Sequence, residues 1–428
     1  MAAPPQWGMR PTASRSTSTR PGSGHGPSLG SADRALVLQG GGALGAYQAG
    51  VYEALAEAST TIGWVAGVSI GAINAALIVG NAPEHRVARL REFWNQVSSG
   101  WGQQTPPGPF CDRTVLNQWS AATAVLFGIP GFFQPRCEPA LALLGGNAPT
   151  TSYYDTSPLK HTLERLIDFD RINHGDARLS VGAVNVRTGN SVYFDSQQQP
   201  LRAEHIMASG ALPPGFAPVE IDGEHYWDGG LVSNTPLQYV LDQPLQPGKH
   251  GRVVFQVDLF HAHGPLPATL GEVTEREKDI RFSSRTRLGT TMELDRQVIA
   301  QAAQRLLDKL PAALRDDPDA LALAGLRGEG AKNAGVDVVH LIYRSKHYES
   351  QSKDYEFSRL SMHEHWDAGR ADMAHTLHDK RWTGRSHSSH GVRVFDLTTD
   401  EPKPPLSSSL SSSASTLSSS HSEKVPSP

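Results

Sequence analysis

The chain has 428 residues, of which 38% are hydrophobic, and contains 41 Gly and 30 Pro. This length accommodates one large or two ordinary domains, and the Gly and Pro content predicts many loops. The formal net charge is -4 with both signs mixed along the chain, which argues against a nucleic-acid-binding protein. Two cysteines, Cys111 and Cys137, are too few for a disulfide framework. One bridge is possible, but free thiols in a reducing cytoplasm are the simpler interpretation.

Both ends of the chain are predicted to be disordered tails. Residues 1–32 are rich in Ser, Thr, Pro, Gly and Arg, and residues 401–428 are rich in Ser and Pro. Neither composition buries enough apolar surface to order itself. The first tail lacks the apolar segment of a secretory signal, and the longest nearly apolar run, residues 121–133, is too short to span a bilayer. We therefore expect a cytoplasmic protein without a signal peptide or transmembrane helix, peripheral to the membrane at most.

A glycine-rich loop follows the first predicted strand, Ala35–Gln39, and opens a predicted helix over Ala43–Glu57. Backbone without side chains approaches an anion closely, and a helix N-terminus presents free N–H groups to it. The same glycines fit a dinucleotide-binding fingerprint, although the next predicted strand does not end in the acidic residue that this fingerprint needs. The other interpretation is an oxyanion hole. The loop residues are Gly40, Gly41, Gly42, Ala43, Leu44 and Gly45.

The next motif, Gly67-Val68-Ser69-Ile70-Gly71, fits the G-x-S-x-G pattern of a nucleophile elbow. It lies between a predicted buried strand, Ile62–Ala66, and a predicted helix, Ile70–Val79. Gly67 and Gly71 permit the strained turn that lifts a serine above the edge of a sheet. A solvated serine in an ordinary turn is the alternative, but the order strand, turn, helix favours a catalytic Ser69.

A base for Ser69 is the next requirement, and none of the 18 histidines lies in a hydrolase motif. Asp228 is the better candidate, since it ends a predicted strand that follows an Asp222-Gly223 hairpin signal. Gly229 and Gly230 directly after it let the backbone turn around the carboxylate. Taken alone, this is more often an ordinary turn aspartate. The glycine loop and the serine elbow upstream favour the catalytic interpretation.

Over residues 34–240 the sequence resembles the patatin-like phospholipases, which use a Ser-Asp dyad. The four motifs stand in that family's order: the glycine loop, the serine elbow, Ala208-Ser209-Gly210-Ala211-Leu212-Pro213, and Asp228-Gly229-Gly230. The resemblance implies Ser69 as nucleophile, Asp228 as base, and an oxyanion hole made by backbone N–H groups around Gly41, Gly42 and Ala43. Leu44 stands where many members carry Arg or Lys. The backbone donors do not depend on that side chain.

The function implied is a lipid acyl hydrolase that cleaves carboxylic esters of phospholipids or other hydrophobic substrates, and touches a membrane surface transiently. An unperturbed aspartate is a weak base at neutral pH, so burial that raises the pKa of Asp228 would strengthen it. This chemistry requires neither a cofactor nor a metal. Two alternatives stay open: a transacylase with the same dyad, and a non-enzymatic membrane-surface protein of this fold. The oligomeric state is not predicted.

An aromatic and leucine-rich insertion follows the elbow helix, and residues 121–133 form its most apolar part. One hypothesis is a mobile cap over the acyl channel, with Pro130-Gly131 and Gly145-Gly146 as hinges. The competing interpretation is ordinary satellite core. Both remain open from the sequence.

The predicted fold class is α/β, a patatin-like three-layer α/β/α arrangement around a mainly parallel sheet, with an α/β extension. We assign residues 34–241 to the catalytic domain and residues 242–400 to an extension packed on it. The extension is predicted to contain a polar helix, a strand and a second helix over Leu270–Leu310, Val336–Tyr343 and Leu360–His378. The charges of the first helix alternate in sign, which favours internal ion pairs over a lipid-binding face.

Overall fold

The structure is a computed structural model that describes residues 32–100, 112–136, 151–249, 251–325, 335–346, 348–386 and 392–397. The two predicted tails, apart from Ala32, lie outside these residues, as do both cysteines and the Gly145-Gly146 hinge. Each statement below concerns the described residues.

Eleven strands are described. They are β1 (Ala32–Leu38), β2 (Trp64–Val68), β3 (Gln134–Pro135), β4 (Tyr154–Asp155), β5 (Arg178–Asn185), β6 (Ser191–Asp195), β7 (Val219–Ile221), β8 (Glu224–Asp228), β9 (Gly251–Asp258), β10 (Gly335–Ile342) and β11 (Val392–Asp396). Nine of them form one sheet in the order β11-β10-β9-β1-β2-β5-β8-β7, with β6 also paired to β5. The six strands from β11 to β5 are parallel, and β6, β7 and β8 pair antiparallel.

Twelve α-helices are described. They are α1 (Gly45–Glu57), α2 (Ile70–Val79), α3 (Arg86–Val97), α4 (Arg113–Phe127), α5 (Ser157–Leu166), α6 (Phe169–His174), α7 (Ala203–Ser209), α8 (Leu237–Asp242), α9 (Leu270–Leu307), α10 (Pro318–Gly325), α11 (Arg359–His378) and α12 (Lys380–Thr383).

The central strand β1 shows why the sheet has two covered faces. Leu36 and Leu38 point into a large core that includes side chains from α1, α2, α3 and α11. Ala35 and Val37 point the opposite way, into a smaller core that includes side chains of α8. Alternate residues of a strand point to opposite faces, so a strand that is apolar throughout is buried on both. The predicted three-layer α/β/α arrangement is confirmed.

Helices α1 and α11 cross at two glycines. A Cβ on Gly50 would lie 1.9 Å from the carbonyl oxygen of Trp366, and one on Gly369 would lie 2.0 Å from that of Tyr47. Any side chain at either position would force the two backbones apart. This close crossing fixes α11 of the second region against the helix that follows the glycine loop.

The region beyond residue 241 continues the same sheet. Strand β9 pairs with β1 over Ala32–Leu38, and β10 and β11 extend the sheet beyond it. The sequence-based boundary therefore falls within one continuous sheet. In α9, the predicted internal ion pairing is confirmed for Arg281 and Glu277, whereas other charges of this helix pair with a distant loop described below.

Several predicted element ends need correction. The helix expected to begin at Ala43 begins at Gly45, after a 3-10 turn over Gly42–Leu44. The strand expected over Ile62–Ala66 lies two residues later, at Trp64–Val68, because Gly63 still belongs to the preceding turn. The long polar helix ends at Leu307, where the next residues form turns.

The insertion before residue 136 forms α4 and a tight turn. Ala124, Phe132 and Phe133 pack into the large core, as the core interpretation predicts, while Leu126 is 66% exposed. Gly131, part of the proposed hinge, accepts a hydrogen bond at its carbonyl from the Thr162 hydroxyl at 2.7 Å. No helix among the described residues combines the length and apolarity needed to cross a membrane.

Candidate active site

Ser69 lies in the strained turn that the elbow motif predicts. Its φ and ψ are 56° and −125°, a backbone conformation that non-glycine residues rarely adopt. Both flanking glycines are sterically required. A Cβ on Gly67 would lie 2.2 Å from the Gly71 carbonyl oxygen, and one on Gly71 would lie 2.4 Å from that of Leu38. The turn thus presents Ser69, which is half-buried, between the end of β2 and the start of α2.

Ser209 holds this turn against the sheet. The backbone N–H of Ser69 donates to both the carbonyl oxygen and the hydroxyl oxygen of Ser209, at 3.1 and 3.0 Å. The Ser209 hydroxyl in turn donates to the Gly182 carbonyl of β5 at 2.6 Å. Sequence analysis identified the stretch that contains Ser209 but gave it no role. The structure identifies Ser209 as the link between the strained elbow and the central sheet.

Asp228 ends β8 directly beyond the end of β2. Val68 pairs with Gly182 of β5, and Asp228 pairs with the next β5 residue, Ala183. The sheet register therefore brings Asp228 beside Ser69, two residues that are far apart in sequence. The Ser69 side chain lies close enough to the Asp228 carboxylate to act on its pKa, which it lowers.

The environment of Asp228 raises the proton affinity of its carboxyl group. The residue is only 2% exposed, and this burial raises the pKa of its carboxyl to about 6, against the opposing hydrogen bonds from Ser69 and Gly230. The Gly230 N–H donates to Oδ1 at 2.7 Å. Burial disfavours the charged form of a carboxyl, so its proton affinity rises. The sequence-based expectation that burial raises the pKa of Asp228 is confirmed.

Two glycines, Gly229 and Gly230, lie in the loop that follows Asp228, which we call the base loop, and both are closely packed. A Cβ on Gly229 would lie 2.6 Å from the carbonyl oxygen of Gly182, and one on Gly230 would lie 2.8 Å from the Asn234 side-chain oxygen. Larger residues at either position would push the carboxylate-bearing turn away from β5 and from the glycine loop.

The glycine loop offers two of its three predicted donors to an anion. Among the described residues, no hydrogen-bond acceptor is found for the N–H groups of Gly41 and Gly42. The N–H of Ala43 instead donates to the carbonyl oxygen of Asp354 at 2.7 Å. A donor that is already bonded is not available to an oxyanion in this conformation, so of the three predicted donors the N–H groups of Gly41 and Gly42 remain open. Gly45 begins α1 and donates within the turn.

Asn234 joins the glycine loop to the base loop, and sequence analysis missed it. Its side-chain Nδ2 donates to the Gly40 carbonyl at 2.9 Å, and the Gly40 N–H donates to the Asn234 carbonyl at 3.1 Å. A Cβ on Gly40 would lie 2.4 Å from the Asn234 Oδ1 and 3.0 Å from the Ser69 Cβ. The available signal was an Asn-Thr-Pro turn six residues after the candidate base, a pattern that is common in ordinary loops.

The two histidines nearest to Asp228 in sequence, His205 and His225, make no recorded contact with it. His205 is buried, accepts the Arg202 N–H at Nδ1 and packs edge-on to Phe194. Burial lowers the pKa of His205. His225 is exposed. Of the described residues, Ser69 and Gly230 are the two whose hydrogen-bonding groups lower the pKa of Asp228, and neither histidine acts on it.

Exposed apolar side chains lie near this site. We call Val125, Leu126, Tyr153 and Leu212 the apolar rim; each is between 44% and 66% exposed. Hydrogen bonds link the segments that carry them: the Tyr153 N–H donates to the Pro214 carbonyl, and the Tyr154 hydroxyl donates to the Val125 carbonyl. Leu212 follows Ala211, whose carbonyl accepts the Asp228 N–H at 3.0 Å. Of the rim, Leu212 therefore lies directly beside a residue that contacts Asp228.

Two family models match this chain. A model described as patatin-like phospholipase matches residues 36–241, which contain Ser69 and Asp228. A second, described as patatin phospholipase, matches residues 280–389.

Individual relatives are more distant. Uncharacterized NTE family proteins of Mycobacterium bovis and Mycobacterium tuberculosis are 27% identical over 203 residues, which are 47% of this chain and 44% of theirs. The match thus spans less than half of the length of these curated relatives.

Similar solved structures include VipD from Legionella pneumophila, with 16% identity and a TM-score of 0.29 over 78% of this chain and 67% of that one. ExoU of Pseudomonas aeruginosa, in complex with SpcU, has 16% identity and a TM-score of 0.22 over 69% and 60%. These scores are too low to carry an argument. Because models of one family match both the region that holds the site and the region beyond it, this chain belongs to the patatin-like phospholipase family.

Proposed function

We propose that this protein is a lipid acyl hydrolase in which Ser69 forms an acyl-enzyme and Asp228 is the general base. The observation that carries the proposal is the position of Ser69 beside a buried carboxylate whose pKa is raised to about 6. A base of this pKa is ionised at neutral pH and still binds a proton more tightly than an ordinary aspartate. Family membership supports the substrate class, a carboxylic ester of a lipid.

In the proposed first half-reaction, Asp228 takes the hydroxyl proton as the Ser69 oxygen bonds to the ester carbonyl carbon. The oxyanion of the tetrahedral intermediate accepts hydrogen bonds from the N–H groups of Gly41 and Gly42. Collapse breaks the ester bond, and Asp228 returns the proton to the departing alcohol. The strained backbone at Ser69 places the hydroxyl oxygen near both the base and the donors. Little conformational entropy is therefore lost on reaching the reactive geometry.

In the second half-reaction, water replaces the alcohol. Asp228 takes a proton from the water as its oxygen attacks the acyl-enzyme, and the proton returns to Ser69 when the fatty acid leaves. An alcohol acceptor in place of water would make the protein a transacylase with the same residues.

The apolar rim supports a substrate presented at a lipid surface. Its four side chains are exposed, and Leu212 follows the residue whose carbonyl accepts the Asp228 N–H. Partial burial of such groups in a bilayer is favourable by about 25 cal/mol per Å². We therefore propose that the protein associates peripherally with membranes through this rim.

A fluorophosphonate probe tests the proposed nucleophile. We expect stoichiometric labelling of the wild-type protein, and none of Ser69→Ala, which removes the attacking oxygen. Ser233→Ala, another partly buried serine in the adjoining loop, is the matched control and should label normally. Folded wild-type protein that does not label would refute the proposed function.

Liposome hydrolysis tests the proposed surface. We expect Leu126→Glu to lower hydrolysis of phospholipid vesicles much more than hydrolysis of a short water-soluble ester. Leu321→Glu, at a similarly exposed leucine on α10, is the control and should affect neither. Equal losses on both substrates for Leu126→Glu would contradict a role of the rim in membrane contact, and mass spectrometry of the products identifies the ester cleaved.

A further inference from the structure

A segment far along the chain, residues 351–357, contacts the glycine loop. The carbonyl oxygen of Asp354 accepts the Ala43 N–H at 2.7 Å and lies where a Cβ on Gly42 would be, at 1.9 Å. Gly42 also has a φ of +55°, so this contact and this backbone conformation both require glycine. The position of Asp354 therefore affects the same short turn that carries the two free N–H donors.

The side chain of Asp354 is anchored to helix α9. Its carboxylate accepts a hydrogen bond from the Lys278 ammonium at 2.7 Å, and the same ammonium donates to the Gln351 carbonyl at 2.8 Å. Both charged side chains are about three-quarters buried. Charge-assisted hydrogen bonds of this kind are stronger than neutral ones, and partial burial protects the pair from screening by salt.

A second lysine fixes the same segment to the same helix. The Lys353 side chain is 1% exposed, and its ammonium bonds to the carboxylates of Glu275 and Asp279 and to the Ser345 hydroxyl. Removal of this lysine would leave two carboxylates without their cation inside the protein, a change that endangers folding. Lys353 is therefore a structural anchor, and Lys278 is the partner that can be changed more safely.

The far end of the segment also leads back to the glycine loop. Phe357 is buried and stacks on Trp94, with ring centroids 6.5 Å apart. The Trp94 indole N–H donates to Asn74 at 3.1 Å, and Asn74 donates to the Gly45 carbonyl at 2.9 Å. Contacts at both ends thus connect the segment to the turn over Gly42–Leu44 and the start of α1.

We infer that Lys278, through its ion pair with Asp354, is a positioning residue that holds the Gly42–Leu44 turn in the conformation that presents the oxyanion donors. This inference rests on the proposed function, because it concerns the oxyanion hole of that site. Lys278 touches neither Ser69 nor Asp228 in the structure, and its effect passes through the Asp354 backbone and the Ala43 N–H. By holding that third N–H, the segment leaves Gly41 and Gly42 as the donors.

Kinetics of three variants test the inference: Lys278→Met, Asp354→Asn and the double variant. Each keeps the Asp354 peptide group and removes the ion pair, and Lys278→Met and the double variant also lose the hydrogen bond to the Gln351 carbonyl. We expect kcat on a short ester to fall about tenfold or more with little change in KM, less than the about 100- to 1000-fold loss that removal of one oxyanion donor causes. The double variant should be no worse than the more impaired single variant, because all three lose the same pair. Lys278→Arg should restore part of the rate.

Arg281→Met is the matched control, since Arg281 lies one turn away on α9 in an exposed pair with Glu277. It should leave kcat unchanged. A trifluoromethyl ketone, whose adduct with Ser69 carries an oxyanion, should bind more weakly to the Lys278 variants in proportion to their loss in kcat/KM. A merely structural role would lower the melting temperature without this proportionality.

Hydrogen exchange separates failure of the inference from failure of the proposed function. Faster exchange of the amides of residues 40–44 in Lys278→Met than in Arg281→Met supports the inference, even if the wild-type protein hydrolyses no ester. Unchanged exchange and unchanged kcat in both Lys278→Met and Asp354→Asn would overturn it while Ser69 labelling upholds the function. A rise in kcat would overturn it as well, because the contact would then be inhibitory.

Discussion

Replacement of Asp228 by Asn is expected to abolish catalysis and to stabilise the fold at neutral pH. Asn keeps the size of the side chain and an oxygen that accepts the Gly230 N–H, but it removes a negative charge that is almost completely buried. The wild-type protein must desolvate that charge on folding whenever the carboxyl is ionised. A gain in stability on loss of the base would show that the site is maintained for function at a cost in folding energy.

The pKa of Asp228 gives the magnitude. Burial raises it from an ordinary value of 3.8 to about 6, and each pH unit corresponds to about 1.36 kcal/mol. A raised pKa means that the folded state binds the proton more tightly, so this contribution to stability is fully present below pH 3.8. It is lost as the pH rises through about 6. The complete loss is about 3 kcal/mol, and about 2 kcal/mol of it falls between pH 4.5 and pH 8.

Urea unfolding of both proteins at several pH values checks this expectation. The stability of Asp228→Asn minus that of the wild type should grow by about 2 kcal/mol from pH 4.5 to pH 8, whatever constant offset the amide introduces. Asp222→Asn, at the exposed turn of the same hairpin, controls for loss of a charge as such. A difference that stays constant with pH, or shrinks as the pH rises, would refute the reasoning.

Three further outcomes are expected. In the wild type, kcat/KM on a short ester should rise about tenfold per pH unit up to an apparent pKa near 6 and then level off; a profile flat down to pH 4.5 would contradict a base with a raised pKa. Gly42→Ala should destabilise the fold much more than Gly189→Ala in urea unfolding. Both have positive φ, which costs about 1–3 kcal/mol for alanine, but only at Gly42 would the methyl group clash. Asn234→Ala should cost about 1–3 kcal/mol, because the buried Gly40 carbonyl loses its side-chain donor, and kcat should fall with it; unchanged stability would refute that role.

The parts of the site that the sequence predicts are those fixed by local sterics. Gly67 is required within its own turn, Gly71 is required by the Leu38 carbonyl of the adjacent strand β1, and Gly229 and Gly230 allow the turn after Asp228. A short motif carries such information in full, because the clashing atoms lie mainly in that motif or in the adjacent strand. The burial of strand β1 on both faces is likewise visible as a continuous apolar run. For these reasons the sheet could be predicted, and Ser69 and Asp228 could be proposed as a dyad, without a structure.

The contacts that complete the site connect segments far apart in the chain, and no local pattern indicates them. The bond from Ala43 to Asp354 joins two backbone groups, which every residue possesses. The charged side chains of α9 could form many different ion pairs, and that of Lys278 with Asp354 is only one of them. The sequence predicted pairing within this helix, which holds for Arg281, but Lys278 pairs elsewhere. Charge patterning along one helix does not reveal which partner a fold brings near.

The second region is joined to the catalytic machinery on three sides. Strand β9 pairs with β1, whose end leads into the glycine loop, and α11 crosses α1 at Gly50 and Gly369. The segment with Asp354 accepts a hydrogen bond from the turn between β1 and α1. A strand, a helix and a loop from this region therefore surround the oxyanion turn, while Ser69 and Asp228 are held by β2, β5 and β8. The proposed nucleophile and base therefore depend on the first region, and the proposed oxyanion donors depend on both.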